Sequence, residues 1–231
     1  MNALAKKLGL SEDLAFYDVY SLDEPDLLAH IPRPAYALLV IIPLTAAWDA
    51  NRQVEDSSYT RQEGNPPVIW FKQTIGHACG SIGLLHCAIN GPAAHSILPG
   101  SALERLRDDA LTFPAEAVEE RAKMLYDSQP FEEAHKSVAA MGDTAPPSVA
   151  EGDHLGQHFV AFIKDEAQGH LWELEGSRKG PLDRGPLDDA DDVLSPRALD
   201  LGLRRIIKLE QDSGGQDLRF SCIALAPRSK T

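Results

Sequence analysis

The sequence predicts one mixed α/β domain, a sheet made largely of hairpins with helices covering it. Three observations carry that reading. Apolar runs of strand length are interleaved with longer amphipathic stretches of helix length. No internal repeat and no linker divides the 231 residues. Hydrophobic residues make up 43% of the chain, enough for one substantial core.

In chain order, Asn2 to Leu10 reads as a short helix closed by Gly9. Ser11-Glu12-Asp13-Leu14 opens a new segment with a capping residue. Ile31-Pro32-Arg33-Pro34 interrupts regular structure. Ala37 to Leu44 is a continuous apolar run, short enough for a buried central strand. Residues 49–66 are polar and read as an exposed loop. Val68 to Lys72 is the next predicted strand and Cys79 to Asn90 the next helix, with Ile82, Leu85 and Ile89 on one buried face.

Ser101 to Leu111, Pro114 to Tyr126 and Phe131 to Met141 read as three further helices. Pro114 and Glu116 suit a first turn. Gly142 to Gln157 has no apolar periodicity and holds three glycines and two prolines, so it reads as a long irregular loop. His158 to Ile163 and His170 to Glu175 form a hairpin across Glu166-Ala167-Gln168-Gly169. Residues 176–196 are polar. Pro196 to Gln211 is a long amphipathic helix ended by Ser213-Gly214-Gly215, and Leu218 to Leu225 is the last strand.

Charge and composition narrow the function. A net charge of −13 argues against a phosphate backbone, so no nucleic-acid partner is expected. No apolar run approaches bilayer length, so no membrane partner is expected either. The N-terminal residues lack the apolar core and cleavage site of a signal peptide. Three cysteines with no Cys-x-x-Cys pair fit a reducing compartment. The expectation is a cytoplasmic monomer, with the nucleus as a second location.

Cys79 sits between a strand-like run, Val68-Ile69-Trp70-Phe71, and a helix-like run, Ile82-Gly83-Leu84-Leu85-His86. That places a thiol at a helix N-terminus, where the dipole and free N–H groups favour a thiolate. Thiol hydrolysis also needs an imidazole, a group that orients it, and oxyanion donors. His158 opens a strand directly after the long loop. Glu175 ends the neighbouring strand, where a carboxylate can fix the imidazole tautomer. Gln73, six residues before the thiol, can aim its amide at a developing oxyanion together with the Cys79 N–H. Each has a plainer alternative: an inert buried cysteine, one of eight histidines, a strand-end carboxylate and a strand-end cap. His77 and His86 are nearer Cys79 in sequence. Cys79, His86 and Cys87 lack a second ligand pair at zinc spacing. Gly80-Ser81-Ile82-Gly83 has no Lys after its glycines and is no phosphate loop.

Taken together these residues resemble the ubiquitin carboxy-terminal hydrolase family of small cysteine-protease deubiquitinases. Phe71-Lys72-Gln73-Thr74-Ile75, then Ala78-Cys79-Gly80, then Ile82-Gly83-Leu84 and His86 match its nucleophile motif. Val19-Tyr20, Pro32-Arg33-Pro34, the strand from His158, Gly169-His170-Leu171-Trp172-Glu173-Leu174 and Leu218-Arg219-Phe220 match in order, so the resemblance runs from about Asn2 to Ala226. It implies a papain-like α/β fold, a central antiparallel sheet flanked by helices with the thiol at the N-terminus of a buried helix, over a single catalytic domain spanning 1–231. It further implies Cys79 as nucleophile, His158 as general acid/base, Gln73 as oxyanion donor, residues 142–157 as a crossover loop limiting the leaving group, ubiquitin or a ubiquitin-like protein as partner, and no cofactor. The acidic surface suits the basic tail of ubiquitin.

Two positions depart from the family pattern. The hairpin carries Glu175 where the family usually has aspartate; glutamate is one methylene longer, and the expectation is activity with altered geometry. The chain also begins inside the first helix, so a short N-terminal segment is expected to be missing. The alternatives are a catalytically weakened ubiquitin-binding protein of the same fold and another thiol acyltransferase.

Overall fold

The structure is a computed structural model that describes residues 1–60, 67–139, 156–215 and 217–229. The helices are α1 (Asn2–Leu8), α2 (Pro25–Leu28), α3 (Ala46–Ser58), α4 (Cys79–Ile89), α5 (Ala102–Thr112), α6 (Val118–Tyr126), α7 (Gln129–Ala139), α8 (Pro196–Leu201) and α9 (Leu203–Asp212). The strands are β1 (Leu14–Asp18), β2 (Ala37–Pro43), β3 (Gln157–Lys164), β4 (His170–Leu174), β5 (Leu182–Pro186) and β6 (Ser221–Pro227). Together they form one six-stranded antiparallel sheet in the order β1-β6-β2-β3-β4-β5.

The apolar run in β2 is continuous because both faces of the sheet are covered. Ala37 and Leu39 face a layer built from α1, α4, α5, α6 and α7. Leu38, Val40 and Ile42 face the opposite layer, where Trp48 of α3 and Ala198, Leu199, Leu203 and Ile206 of α8 and α9 pack. Helix α4 lies on β2 and β3, and every residue from Ser81 to Ile89 is buried. A helix that is apolar all round belongs in a core, and α4 is the central one. Gly83 permits the close approach to β2: a Cβ there would lie 2.6 Å from Leu39 Cδ1.

Several sequence expectations are corrected. The sheet is not made largely of hairpins, because β6 inserts between β1 and β2. Of residues 49–66, those up to Ser58 are helical rather than looped. Thr45 Oγ1 accepts from the Trp48 N–H at 3.1 Å, and Asp49 pairs with Arg52 at 2.6 Å. Only Trp48 and Asp56 of that helix are buried, too few to mark a helical period. The new segment after Ser11 is strand β1, which the sequence reading left unassigned; its backbone bonds go to β6. Within the polar stretch 176–196, Leu182–Pro186 is an edge strand. The long helix over 196–211 divides at Gly202, where a Cβ would meet the Phe162 ring at 3.2 Å. The last strand is shifted to Ser221–Pro227. Of the loop expected over 142–157, residues 142–155 lie outside the described residues.

Val68 to Lys72 is not a strand of the sheet. Its backbone is held by partners elsewhere. The Ile69 N–H donates to Asn90 Oδ1 at 2.6 Å and the Phe71 N–H donates to His86 Nε2 at 3.0 Å. Both acceptors belong to α4 and the residue that ends it. Burial pushes the His86 imidazole down to about 4, which keeps it a neutral acceptor for that N–H.

Candidate active site

Cys79 is the first residue of α4, and no side chain among the described residues caps that helix. Its first N–H groups are therefore available to an anion. His77, two residues earlier, holds a positive φ of 59°, the left-handed turn that brings the chain into the helix. Cys79 is partly exposed, while Cys87 and Cys222 are buried. Burial pushes the Cys87 thiol far up and that of Cys222 to about 12, so neither is a thiolate at neutral pH.

The sheet delivers the partners. The register Ala161 opposite Leu174 ends the β3–β4 pairing just before Glu175. His158 Nε2 lies 2.5 Å from Glu175 Oε1, a close ionic contact off the ideal hydrogen-bond line. The imidazole also lies within hydrogen-bonding reach of the Cys79 thiol. Burial pushes the imidazole down, but Cys79 and Glu175 push it up by more, to about 9. Glu175 is 1% exposed. Burial raises its carboxyl, yet His158 and then Ser177 hold it below the usual carboxylate range. Ser177 donates twice, from N–H to Oε1 at 2.7 Å and from Oγ to Oε2 at 2.9 Å. The Glu175 carbonyl accepts from Trp70 Nε1 at 3.1 Å.

Gln73 joins this frame through its backbone: its N–H donates to the Gly176 carbonyl at 2.8 Å. Among the described residues its amide Nε2 has only a long bond, 3.4 Å, to the Ile75 carbonyl. Gly176 makes the approach possible, since a Cβ there would lie 2.9 Å from Gln73 Cβ and 3.2 Å from Gln73 N. Gly176→Ala should therefore destabilise the fold by about 1–3 kcal/mol, the usual range for overpacking. It should also lower kcat more than it raises KM. Denaturant melts and steady-state kinetics check both; a variant matching the parent in both would show that the two segments are not coupled.

The family model described as "Ubiquitin carboxyl-terminal hydrolase, family 1" matches residues 1–207. The chain belongs to the ubiquitin carboxyl-terminal hydrolase family. By that membership it is a deubiquitinating enzyme of the cysteine type. It is 32% identical over 225 residues to ubiquitin carboxyl-terminal hydrolase isozyme L1 of Monodelphis domestica, covering 97% of this chain and 93% of the relative. It is 33% identical over 231 residues to ubiquitin carboxyl-terminal hydrolase 3 of Arabidopsis thaliana, covering 99% and 91%. The fold matches the Trichinella spiralis UCH37 catalytic domain bound to ubiquitin vinyl methyl ester, with a TM-score of 0.70 at 18% identity over 99% of this chain and 91% of that one. The expected papain-like architecture is thus the one observed.

Within this hydrolase fold, Cys79, His158 and Glu175 converge where the start of α4 meets the ends of β3 and β4. Gln73 is tied to the residue after Glu175. His77 and His86, nearer to Cys79 in sequence, have other places: His77 in the turn before α4, His86 buried inside it. Sequence reasoning missed Trp70 and Ser177, which donate to Glu175, and Arg178, whose backbone N–H donates to the Glu175 carbonyl at 3.2 Å. The signal was present in Glu175-Gly176-Ser177-Arg178, where donors follow the carboxylate within three residues.

Proposed function

We propose that this chain cleaves the bond after the C-terminal glycine of ubiquitin through a thioester on Cys79. The supporting observation is the placement of His158 between the Cys79 thiol and the Glu175 carboxylate at an uncapped helix start. His158 takes the thiol proton, and the sulfur attacks the glycine carbonyl carbon. The resulting oxyanion is met by the Cys79 N–H and the Gln73 amide. Collapse breaks the bond to the leaving group, which takes the proton from His158. Water then attacks the thioester, giving a proton to His158, and the thiol re-forms as ubiquitin departs. Ubiquitin is the partner because the family acts on it and a relative is bound to its vinyl methyl ester. The net charge of −13 favours its basic tail. The preference for small or flexible leaving groups follows the family resemblance.

Ubiquitin vinyl methyl ester tests the partner, nucleophile and competence at once. The expected result is one adduct, located on Cys79 by peptide mass spectrometry and absent from Cys79→Ala. No adduct with the parent chain would favour a protein that only binds ubiquitin; an adduct on Cys87 or Cys222 would remove Cys79 from its role.

A further inference from the structure

We propose that Arg178 is a positioning residue that locks the Glu175 carboxylate against His158, an inference that rests on Glu175 orienting that histidine. Arg178 follows Glu175 by three residues in the turn after β4, and its side chain is 1% exposed. Its Nε lies 3.6 Å from Glu175 Oε2 and has no hydrogen-bond partner among the described residues. The rest of the guanidinium is fixed from the α3 side and by β4. Nη2 lies 2.9 Å from Glu55 Oε2 and 3.5 Å from Glu173 Oε1. Nη1 donates to the Arg52 carbonyl at 3.4 Å and lies 3.8 Å from Asp56 Oδ1. The Trp48 ring centroid is 5.9 Å from Cζ. With its other nitrogens occupied, the guanidinium cannot follow the carboxylate, so the carboxylate must settle against it.

Glutamate has one more side-chain torsion than aspartate, so a glutamate in this place needs more restraint. Oε1 meets His158 and the Ser177 N–H, and Oε2 accepts from the Ser177 hydroxyl. That leaves a second side of Oε2 to Arg178 Nε. A buried fork with fixed charge is the group suited to hold it. The neighbouring carboxylates do not depend on Arg178 alone. Arg184 pairs with Glu55 at 2.7 Å and with Glu173 at 2.8 Å, and Arg205 pairs with Glu173 at 3.1 Å.

Steady-state hydrolysis of a ubiquitin C-terminal fluorogenic substrate tests this in a double-mutant cycle. Arg178→Gln should lower kcat about tenfold, as removing an outer partner of a functional side chain does, with KM unchanged. In the Glu175→Gln background the same substitution should have no further effect on kcat. An unchanged kcat in the single variant, or the same loss in both backgrounds, would overturn the proposal, because a purely structural role acts regardless of Glu175. Should Arg178→Gln fail to fold, Arg178→Lys retains the charge without the nitrogen facing Oε2; parental kcat in that variant would also overturn it. Undiminished activity of Glu175→Gln alone would instead refute the underlying role of Glu175, whatever Arg178 does.

Discussion

Cys79→Ser should abolish measurable hydrolysis of a ubiquitin C-terminal fluorogenic substrate, lowering kcat/KM by about 10⁴-fold or more, the scale seen when a triad nucleophile is removed. Serine is nearly isosteric, and the thiol it replaces lies partly exposed at a helix start, so the fold has no reason to change. The loss is chemical. A hydroxyl is a far weaker acid than a thiol, and an imidazole tuned to accept a thiol proton is not tuned to take one from an alcohol. Ubiquitin binding should survive, because the substitution exchanges one atom for a slightly smaller one and leaves the surrounding surface its shape. Kinetics, calorimetric titration with ubiquitin and a thermal melt separate these statements. A serine variant with parental turnover would remove Cys79 from the chemistry altogether.

Glu175→Gln should be the next most damaging change, lowering kcat by about 10²–10⁴-fold, as loss of the orienting carboxylate does in other triads. The amide preserves the shape but not the charge. His158 would lose one of the two partners that hold it near 9 against burial, and its pKa should fall. The stability consequence follows from linkage. A histidine whose folded pKa is raised from 6.5 to about 9 contributes stability that is complete below about pH 6.5 and is lost as pH rises through 9. Glu175, with its folded pKa depressed, contributes on the other flank: its stabilisation is present above about pH 4.5 and is lost as the medium becomes more acidic. The parent protein should thus lose melting temperature between pH 6.5 and 9, and the variant should show a flatter alkaline limb. Undiminished hydrolysis by the variant, or an identical alkaline limb, would show that Glu175 does not act through His158.

The candidate site was legible in the sequence through reactive residue types at predicted element ends. The structure brings His158 and Glu175 together and ties Gln73 to Gly176. Helix α4 was legible because its apolar content is high throughout. What stayed hidden was pairing that crosses between side chain and backbone. Val68 to Lys72 has strand composition, but its N–H groups go to Asn90 and His86, and no periodicity announces such acceptors. Helix α3 looked like a loop because its polar residues serve charges elsewhere: Glu55 reaches Arg178 and Arg184. Strand β1 was missed because its partner is more than two hundred residues away, in β6.

That last pairing has a consequence for the making of the protein. Strand β6 lies inside the sheet, bonded to β1 on one side and β2 on the other. During vectorial synthesis the first two strands emerge well before residues 221–227, the segment that joins them. Long-range closure of this kind is slow and leaves apolar strand edges uncovered in the interval. The central sheet on which α4 rests is therefore incomplete until β6 has left the ribosome.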